Sequence, residues 1–205
     1  MNKLLITLLS TALSASLLAN PGPDNREPAV IVEETTTALL DELDSRRAEF
    51  TENPALLREM VNRDMLRLID TDYSARLILG RAGRGMETEK MDDFASAMSD
   101  HLLSRYADGL LSFEADTRPE VLPLRGNNSE KLTRVRTRFK LDDGGFVPVD
   151  FAFRKTEQGW KAFDVTIEGI SYVLTYRNQI SPLVAKDGIE KVTADIRAGN
   201  LLLED

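Results

Sequence analysis

The alternation of apolar and polar positions divides the chain into a helical part, a strand part and a second helical part. From Pro28 to Phe50 the apolar residues Val30, Ile31, Leu39, Leu40 and Leu43 stand among charges. Asn53-Pro54 places a capping residue before a proline at the first helical position. Leu56, Leu57, Met60, Val61, Met65 and Leu68 then repeat at helical spacing. Asp72 to Leu79 is a shorter apolar segment ended by Gly80. The clearest helix begins near Thr88, where Met91, Phe94, Met98, Leu102, Tyr106 and Leu110 recur every three or four residues in one stripe. Such a stripe reads first as core. Because Met adapts to irregular surfaces, it also suits the wall of an apolar cavity.

From Pro119 the period shortens to two. Val135, Thr137, Phe139 and Leu141 alternate with Arg134, Arg136, Arg138 and Lys140, which is a half-buried strand with one basic face. Asp142-Asp143-Gly144-Gly145 supplies hairpin turn residues. The return strand sets Val147, Val149, Phe151 and Phe153 on one face, and Trp160 to Ile167 repeats the alternation with Phe163, Val165 and Ile167. With a strand near Val121 this predicts a small antiparallel sheet of about four strands. Helical spacing returns from Ser171 to Leu183, and Asp187-Gly188-Ile189-Glu190 reads as a capping box opening a last helix. The expectation is an α+β domain, with helices over residues 28–112, a meander sheet over 119–168 and C-terminal helices over 171–202. A concave sheet wrapped by helices can hold a pocket between its layers.

The first residues change the picture of where this domain works. Met1-Asn2-Lys3 is a short basic start, Leu4 to Leu18 is apolar, and Ala19 is a small residue for cleavage, the order of a secretory signal peptide over residues 1–19. The apolar run falls short of the roughly 20 residues of a membrane span. The chain has no Cys, so it carries no disulfide, thiolate metal site, cysteine nucleophile or lipoprotein anchor. Residues 20–205 are then expected to be one exported domain, large enough to bury a core and still enclose a cavity. The charge balance, 26 Lys+Arg against 34 Asp+Glu, argues against nucleic acid as a partner and against tight docking on an anionic membrane.

Catalytic signals are sparse. His101 is the single histidine, on the edge of the long helix, so no His pair at metal-ligand spacing exists and no metal is expected. No serine occupies the centre of a nucleophile elbow. Gly80-Arg81-Ala82-Gly83-Arg84-Gly85 lacks the Lys-Ser/Thr ending of a phosphate loop and lies between helices. As a basic loop it offers Arg81 and Arg84 to a phosphate. Asp150 and Asp164 fall opposite the apolar face, which makes a buried acid pair a poor expectation.

Trp160-Lys161-Ala162-Phe163-Asp164-Val165, followed by Glu168-Gly169-Ile170-Ser171-Tyr172-Val173 and Tyr176-Arg177-Asn178-Gln179, is similar to the most distinctive stretch of the MlaC family. Asp72-Tyr73 with Leu77-Ile78-Leu79-Gly80 looks like that family's segment ending in Leu-Gly, and Phe94, Leu102, Tyr106 and Leu110 match its long helix. One departure is the run Arg81-Ala82-Gly83-Arg84-Gly85, where many relatives carry an aromatic residue. The resemblance implies an NTF2-like body with added helices and a deep apolar pocket for phospholipid acyl chains. It also implies a periplasmic carrier that exchanges lipid with an outer-membrane Mla lipoprotein–porin complex and an inner-membrane Mla ABC transporter complex, with bound phospholipid and no cofactor.

On that reading the acyl pocket is expected to be lined by Phe94, Met98, Tyr106, Phe151, Phe153, Phe163, Val165, Ile167, Ile170 and Val173. Arg81 and Arg84 are the head-group candidates, and Arg134, Arg136, Arg138 and Lys140 a candidate partner surface, since aligned like charges repel unless an acidic surface meets them. Two other functions stay open on the residues. A small NTF2-like enzyme would need a buried acid–base pair and would lose turnover with His101→Ala. A protein-only periplasmic adaptor would carry no lipid.

Overall fold

The computed structural model describes residues 26–112, 118–123, 128–141 and 144–201; the expected leader, residues 1–19, lies outside them. The first half is helical: α1 (Pro28–Ser45), α2 (Arg47–Glu52), α3 (Pro54–Met65), α4 (Thr71–Leu79) and α5 (Thr88–Tyr106), which runs into a 3-10 segment (Ala107–Ser112). Five strands follow: β1 (Pro119–Leu122), β2 (Leu132–Lys140), β3 (Phe146–Thr156), β4 (Gly159–Ile167) and β5 (Ile170–Ser171). The C-terminal helices are α6 (Tyr172–Asp187) and α7 (Ile189–Arg197).

Helix starts follow their caps. The Asn53 side chain accepts the Ala55 N–H, with Pro54 in the first turn. Asp70 caps α4 by accepting the Tyr73 N–H at 3.0 Å, and Ser171 caps α6 through the Leu174 N–H at 3.1 Å. The expected capping box at Asp187–Glu190 does not form. Gly188, at φ +84, ends α6 and begins α7 within one residue and has no side chain to cap with, while Asp187 belongs to the last turn of α6.

The sheet is an antiparallel meander in the order β1-β2-β3-β4-β5. The strand beyond the expected four is β5, two residues that pair Ile170 with Ile167 across a turn in which Glu168 has φ +51 and Gly169 φ +86. Across one face the register lines up Val121, Thr137, Val149, Ile167 and Ile170, and beside them Val135, Phe151 and Val165. The expected alternation fails at one point. The β3–β4 register shifts between Ala152 and Phe153, so Phe153 faces Ala162, not Phe163. Ala162 is buried beside Phe153 in the sheet core. The Phe163 ring instead stands edge-on to Tyr73, with centroids 5.2 Å apart.

Three separate clusters form the interior. The first joins α4, α5, α6 and α7 through Leu79, Phe94, Met98, Tyr176, Ile180 and Ile196. The second joins α1, α2 and α3 through Leu43, Phe50, Leu57 and Met60. In the third, Ile31, Val32 and Leu68 cover Val135, Phe151 and Phe153 of the sheet. A short strap ties helices to strands: Asp70 N–H donates to the Ala162 carbonyl at 2.7 Å, and Ala162 N–H to the Leu68 carbonyl at 2.8 Å. Arg154 pairs with Asp70 and lies 4.3 Å over the Tyr73 ring, so α4 is locked against β3 and β4 by charge, stacking and backbone bonds together.

Candidate functional site

Burial along the apolar face of the sheet is graded. Phe153 and Thr137 are 0% exposed and Phe151 7%, whereas Ile170, at the end of its row, is 55% exposed. Toward the β5 edge Val149, Val165 and Ile167 are only half-buried, and so are Val121 and Phe139 on the β1 side. Thr137 lies within this row without cost because its hydroxyl donates to the Val149 carbonyl at 2.6 Å. Half-buried apolar residues fringe the other two clusters as well: Leu102, Tyr172 and Val173 beside the four-helix cluster, and Leu103, Leu110 and Leu111 beside the second. The strands receive α1, α4 and α6, while α5 packs on α3, α4, α7 and the 3-10 segment. Each cluster thus ends in a fringe of half-buried apolar side chains, a seam that it does not fully cover.

Tyrosines supply the polar groups of this seam. The hydroxyls of Tyr106 on α5 and Tyr176 on α6 are 3.1 Å apart, and the Tyr106 and Tyr172 rings meet edge-on at 5.6 Å. Tyr176 is 1% exposed. Burial pushes its hydroxyl up to about 12, with Arg105 opposing and Tyr172 adding to the shift. It is therefore a neutral hydrogen-bonding group throughout the physiological range. His101 packs edge-on to Tyr176 with ring centroids 6.4 Å apart.

The ten expected pocket residues do not converge on one cavity. Phe151, Phe153 and Val165 share the sheet cluster, and Tyr106 and Val173 meet the seam from α5 and α6. Ile167 and Ile170 pair at the open end of the sheet. Phe94 and Met98, 0% and 3% exposed, are enclosed in the four-helix cluster. Phe163 is turned to Tyr73 by the bulge. Sequence reasoning passed over Tyr172 and Tyr176 as site residues. Their spacing of four along one helix, opposite Tyr106, was the available signal.

Arg81 and Arg84 are exposed in the turn before α5, at the opposite end of that helix from Tyr106. Its 19 residues span about 28 Å, so the two arginines lie far along that helix from Tyr106, while the turn they belong to meets Arg177, the residue after Tyr176, at Gly80. The basic face of β2 is matched in part from within. Arg138 forks onto Glu120 at 2.6 and 2.9 Å and stacks on Phe146 at 4.3 Å. Arg134 stands 3.7 Å from Asp150, the residue that faces Arg136 in the register, and Lys140 is exposed. Arg134 and Arg138 thus stand beside acids from β3 and β1, which lessens the repulsion along β2. Asp164 points away from the apolar face, where it accepts the Ser171 hydroxyl at 2.7 Å and the Val173 N–H at 3.1 Å.

Two grooves on the described surface are polar. One of about 790 Å³ is lined by Asp70, Asp72, Arg154, Lys155, Glu157 and Lys161 among others. The second, of about 330 Å³, is lined by Asp72, Asp92, Ser96, Ser99 and Asp100 among others. Neither suits an apolar ligand. Among the described residues no group of three potential metal ligands occurs, and no helix is long and apolar enough to cross a membrane.

Comparison with known proteins fits this architecture. A solved phospholipid-binding protein from Ralstonia solanacearum, determined in complex with a phospholipid, superposes with a TM-score of 0.73 at 18% identity, covering 83% of this chain and 99% of that one. The intermembrane phospholipid transport system binding protein MlaC of Haemophilus influenzae is 20% identical over 189 residues, 90% of this chain and 87% of that protein. The toluene tolerance protein Ttg2D of Pseudomonas putida is 23% identical over 162 residues, 78% of this chain and 74% of the relative. The MlaC protein family model matches residues 33–198, which is most of the described fold, and the chain belongs to the MlaC family.

Proposed function

We propose that this protein is a periplasmic phospholipid carrier that shelters acyl chains in the seam between the sheet and α5–α6. The observation that carries this reading is the row Thr137, Val149, Ile167 and Ile170, which passes from buried through half-buried to exposed across one sheet face. A finished core has no use for such a gradient, whereas a ligand that enters at the Ile170 end and completes the burial does. The names of the relatives support a phospholipid as that ligand. Export through the leader of residues 1–19, and exchange with an inner-membrane Mla ABC transporter complex and an outer-membrane Mla lipoprotein–porin complex, belong to the same proposal.

The energetics require no bond-making residue. Moving two long acyl chains from water into an apolar seam is worth on the order of 20 kcal/mol, at about 0.8 kcal/mol per methylene. The competing bilayer offers a similar gain, so exchange runs near balance and the carrier removes only the aqueous crossing. Direction then comes from the partners. Of the ten expected lining residues, Phe151, Val165, Ile167, Ile170, Tyr106 and Val173 remain assigned to the seam, joined by Val149 and Tyr172, with Tyr176 reaching it only through the hydroxyl that meets Tyr106. Phe94 and Met98 are assigned to the helical core.

Native mass spectrometry of the purified protein, with organic extraction and lipid identification, tests the proposal. The expected result is phospholipid bound in whole-number stoichiometry. A lipid-free mass that stays lipid-free after incubation with liposomes would refute it.

A further inference from the structure

The turn between α4 and α5 gathers arginines that no carboxylate neutralises among the described residues. Gly80 ends α4 at φ +55, and a Cβ there would stand 3.0 Å from Arg177 Nε. The bare glycine thus lets the α6 guanidinium lie on the turn. Arg76 is four residues before Gly80 and so one turn away on the same face of α4. Arg81 and Arg84 follow within the turn, both exposed, with the Arg84 N–H on the Arg81 carbonyl at 3.2 Å. The Ser181 hydroxyl donates to the Leu79 carbonyl at 3.0 Å and fixes α6 against this end of α4.

Many arginines elsewhere are paired. Arg46, Arg63, Arg118, Arg138, Arg154 and Arg197 each meet a carboxylate. Around the turn the acids are otherwise engaged: Lys90 holds Glu87 at 3.4 Å and Glu190 at 2.8 Å. Asp72 lies one turn before Arg76 on α4, and neither of the two is ion-paired among the described residues. The C-terminal dipole of α4 offsets part of the repulsion among these arginines. It does not account for four of them at one end of a chain whose net charge is -8.

We propose that Arg76, Arg81, Arg84 and Arg177 form a docking surface for an anionic, phosphate-bearing bilayer face. All four are arginine, whose planar fork binds phosphate oxygens in pairs. Of the exposed large apolar residues, Val30, Leu132, Leu141, Phe146 and Ile170 lie on other elements, and the one on an element of the cluster, Leu174 three residues before Arg177 on α6, is a single aliphatic side chain, not the aromatic anchor that marks a protein hot spot. Docking here would leave the Tyr106 end of α5 free, about 28 Å along that helix from the turn. The acidic remainder of the chain keeps the contact weak and reversible, in line with the charge balance that argues against tight membrane attachment.

Vesicle flotation tests this surface, and it does so whether or not the protein carries lipid. The purified protein is mixed at low salt with vesicles of phosphatidylcholine alone or of phosphatidylcholine with phosphatidylglycerol. The expected result is flotation with the anionic vesicles only, abolished by high salt. Each charge removed should weaken it about fivefold, so R81Q/R84Q/R177Q should weaken it on the order of a hundredfold. The triple lysine variant should retain most of the binding, which separates lost charge from lost folding. No flotation of the natural chain, equal flotation with neutral vesicles, or an undiminished triple glutamine variant would each overturn the proposal. So would a triple variant that floats normally yet no longer adheres to an acidic polypeptide, which would assign the surface to a protein.

Discussion

Substituting Val165→Trp separates the seam from the core. Val165 faces Phe151 in the register and lies at the half-buried edge of the sheet cluster. An indole there has open space on one side, so the cost to folding should be no more than about 1 kcal/mol. In the loaded protein the same indole takes the room of about three methylenes, which at about 0.8 kcal/mol each weakens acyl binding by about 2.4 kcal/mol, or roughly 60-fold. Phe94→Ala is the counterpart. Phe94 is 0% exposed within the four-helix cluster, and its truncation should cost about 3–5 kcal/mol of stability while folded molecules keep their lipid. Urea unfolding gives the stabilities, and native mass spectrometry with competition by a fluorescent fatty-acyl probe gives the binding. If Val165→Trp retains lipid as the natural chain does, or if folded Phe94→Ala arrives empty, acyl chains lie in the helical cluster and the assignment of the seam is wrong.

Other expectations follow from single groups. Tyr176 is held protonated by burial, its hydroxyl pushed up to about 12. In the unfolded chain it ionises near its ordinary value of about 10. Its contribution is therefore complete below about pH 10 and lost as pH rises toward 12. The difference in unfolding free energy between the natural chain and Tyr176→Phe should be flat at neutral pH and shrink over that window; a constant difference would contradict the burial argument. Thr193 is 2% exposed and its hydroxyl has no hydrogen-bond partner among the described residues. Thr193→Val should be neutral or stabilising by about 1 kcal/mol in thermal unfolding, and a clear loss of stability would show that the hydroxyl is bonded. Asp70→Ala removes both the α4 cap and the partner of Arg154. It should lower stability by about 2–3 kcal/mol in urea unfolding, and a change under 1 kcal/mol would show that the strap holds through its backbone bonds alone.

The order of helices, sheet and helices was legible because long amphipathic segments and alternating strands have different periods. The basic face of β2 was legible too, but not the pairing of Arg134 and Arg138, since Glu120 and Asp150 become their neighbours only through strand register. The β3–β4 bulge had the same invisibility. One shifted pair turned Phe163 away from Phe153, and nothing in an alternating run announces where such a shift falls. The long-helix stripe misled in another way. Phe94 and Tyr106 share one periodic face, yet Phe94 is packed by α6 and α7 whereas Tyr106 opens toward Tyr172 and the seam. Periodicity reports which side of a helix is apolar, not which cluster covers each turn.

Division of the interior into three clusters is itself consistent with a carrier. A single merged core would bury Val149, Val165, Leu103 and Tyr172 permanently, and opening it would expose apolar surface at about 25 cal/mol per Å². Here those residues are already half-buried, so admitting a ligand adds apolar contact without first removing much. The closed parts, Phe94 and Met98 among the helices and Phe153 under α1, keep the two layers folded whether or not a lipid is present. The strap through Asp70, Arg154 and Tyr73 joins those layers at the buried end of the sheet. Widening of the seam is therefore expected to pivot about that strap and to be greatest at the Ile167–Ile170 end, where the fewest buried contacts oppose it.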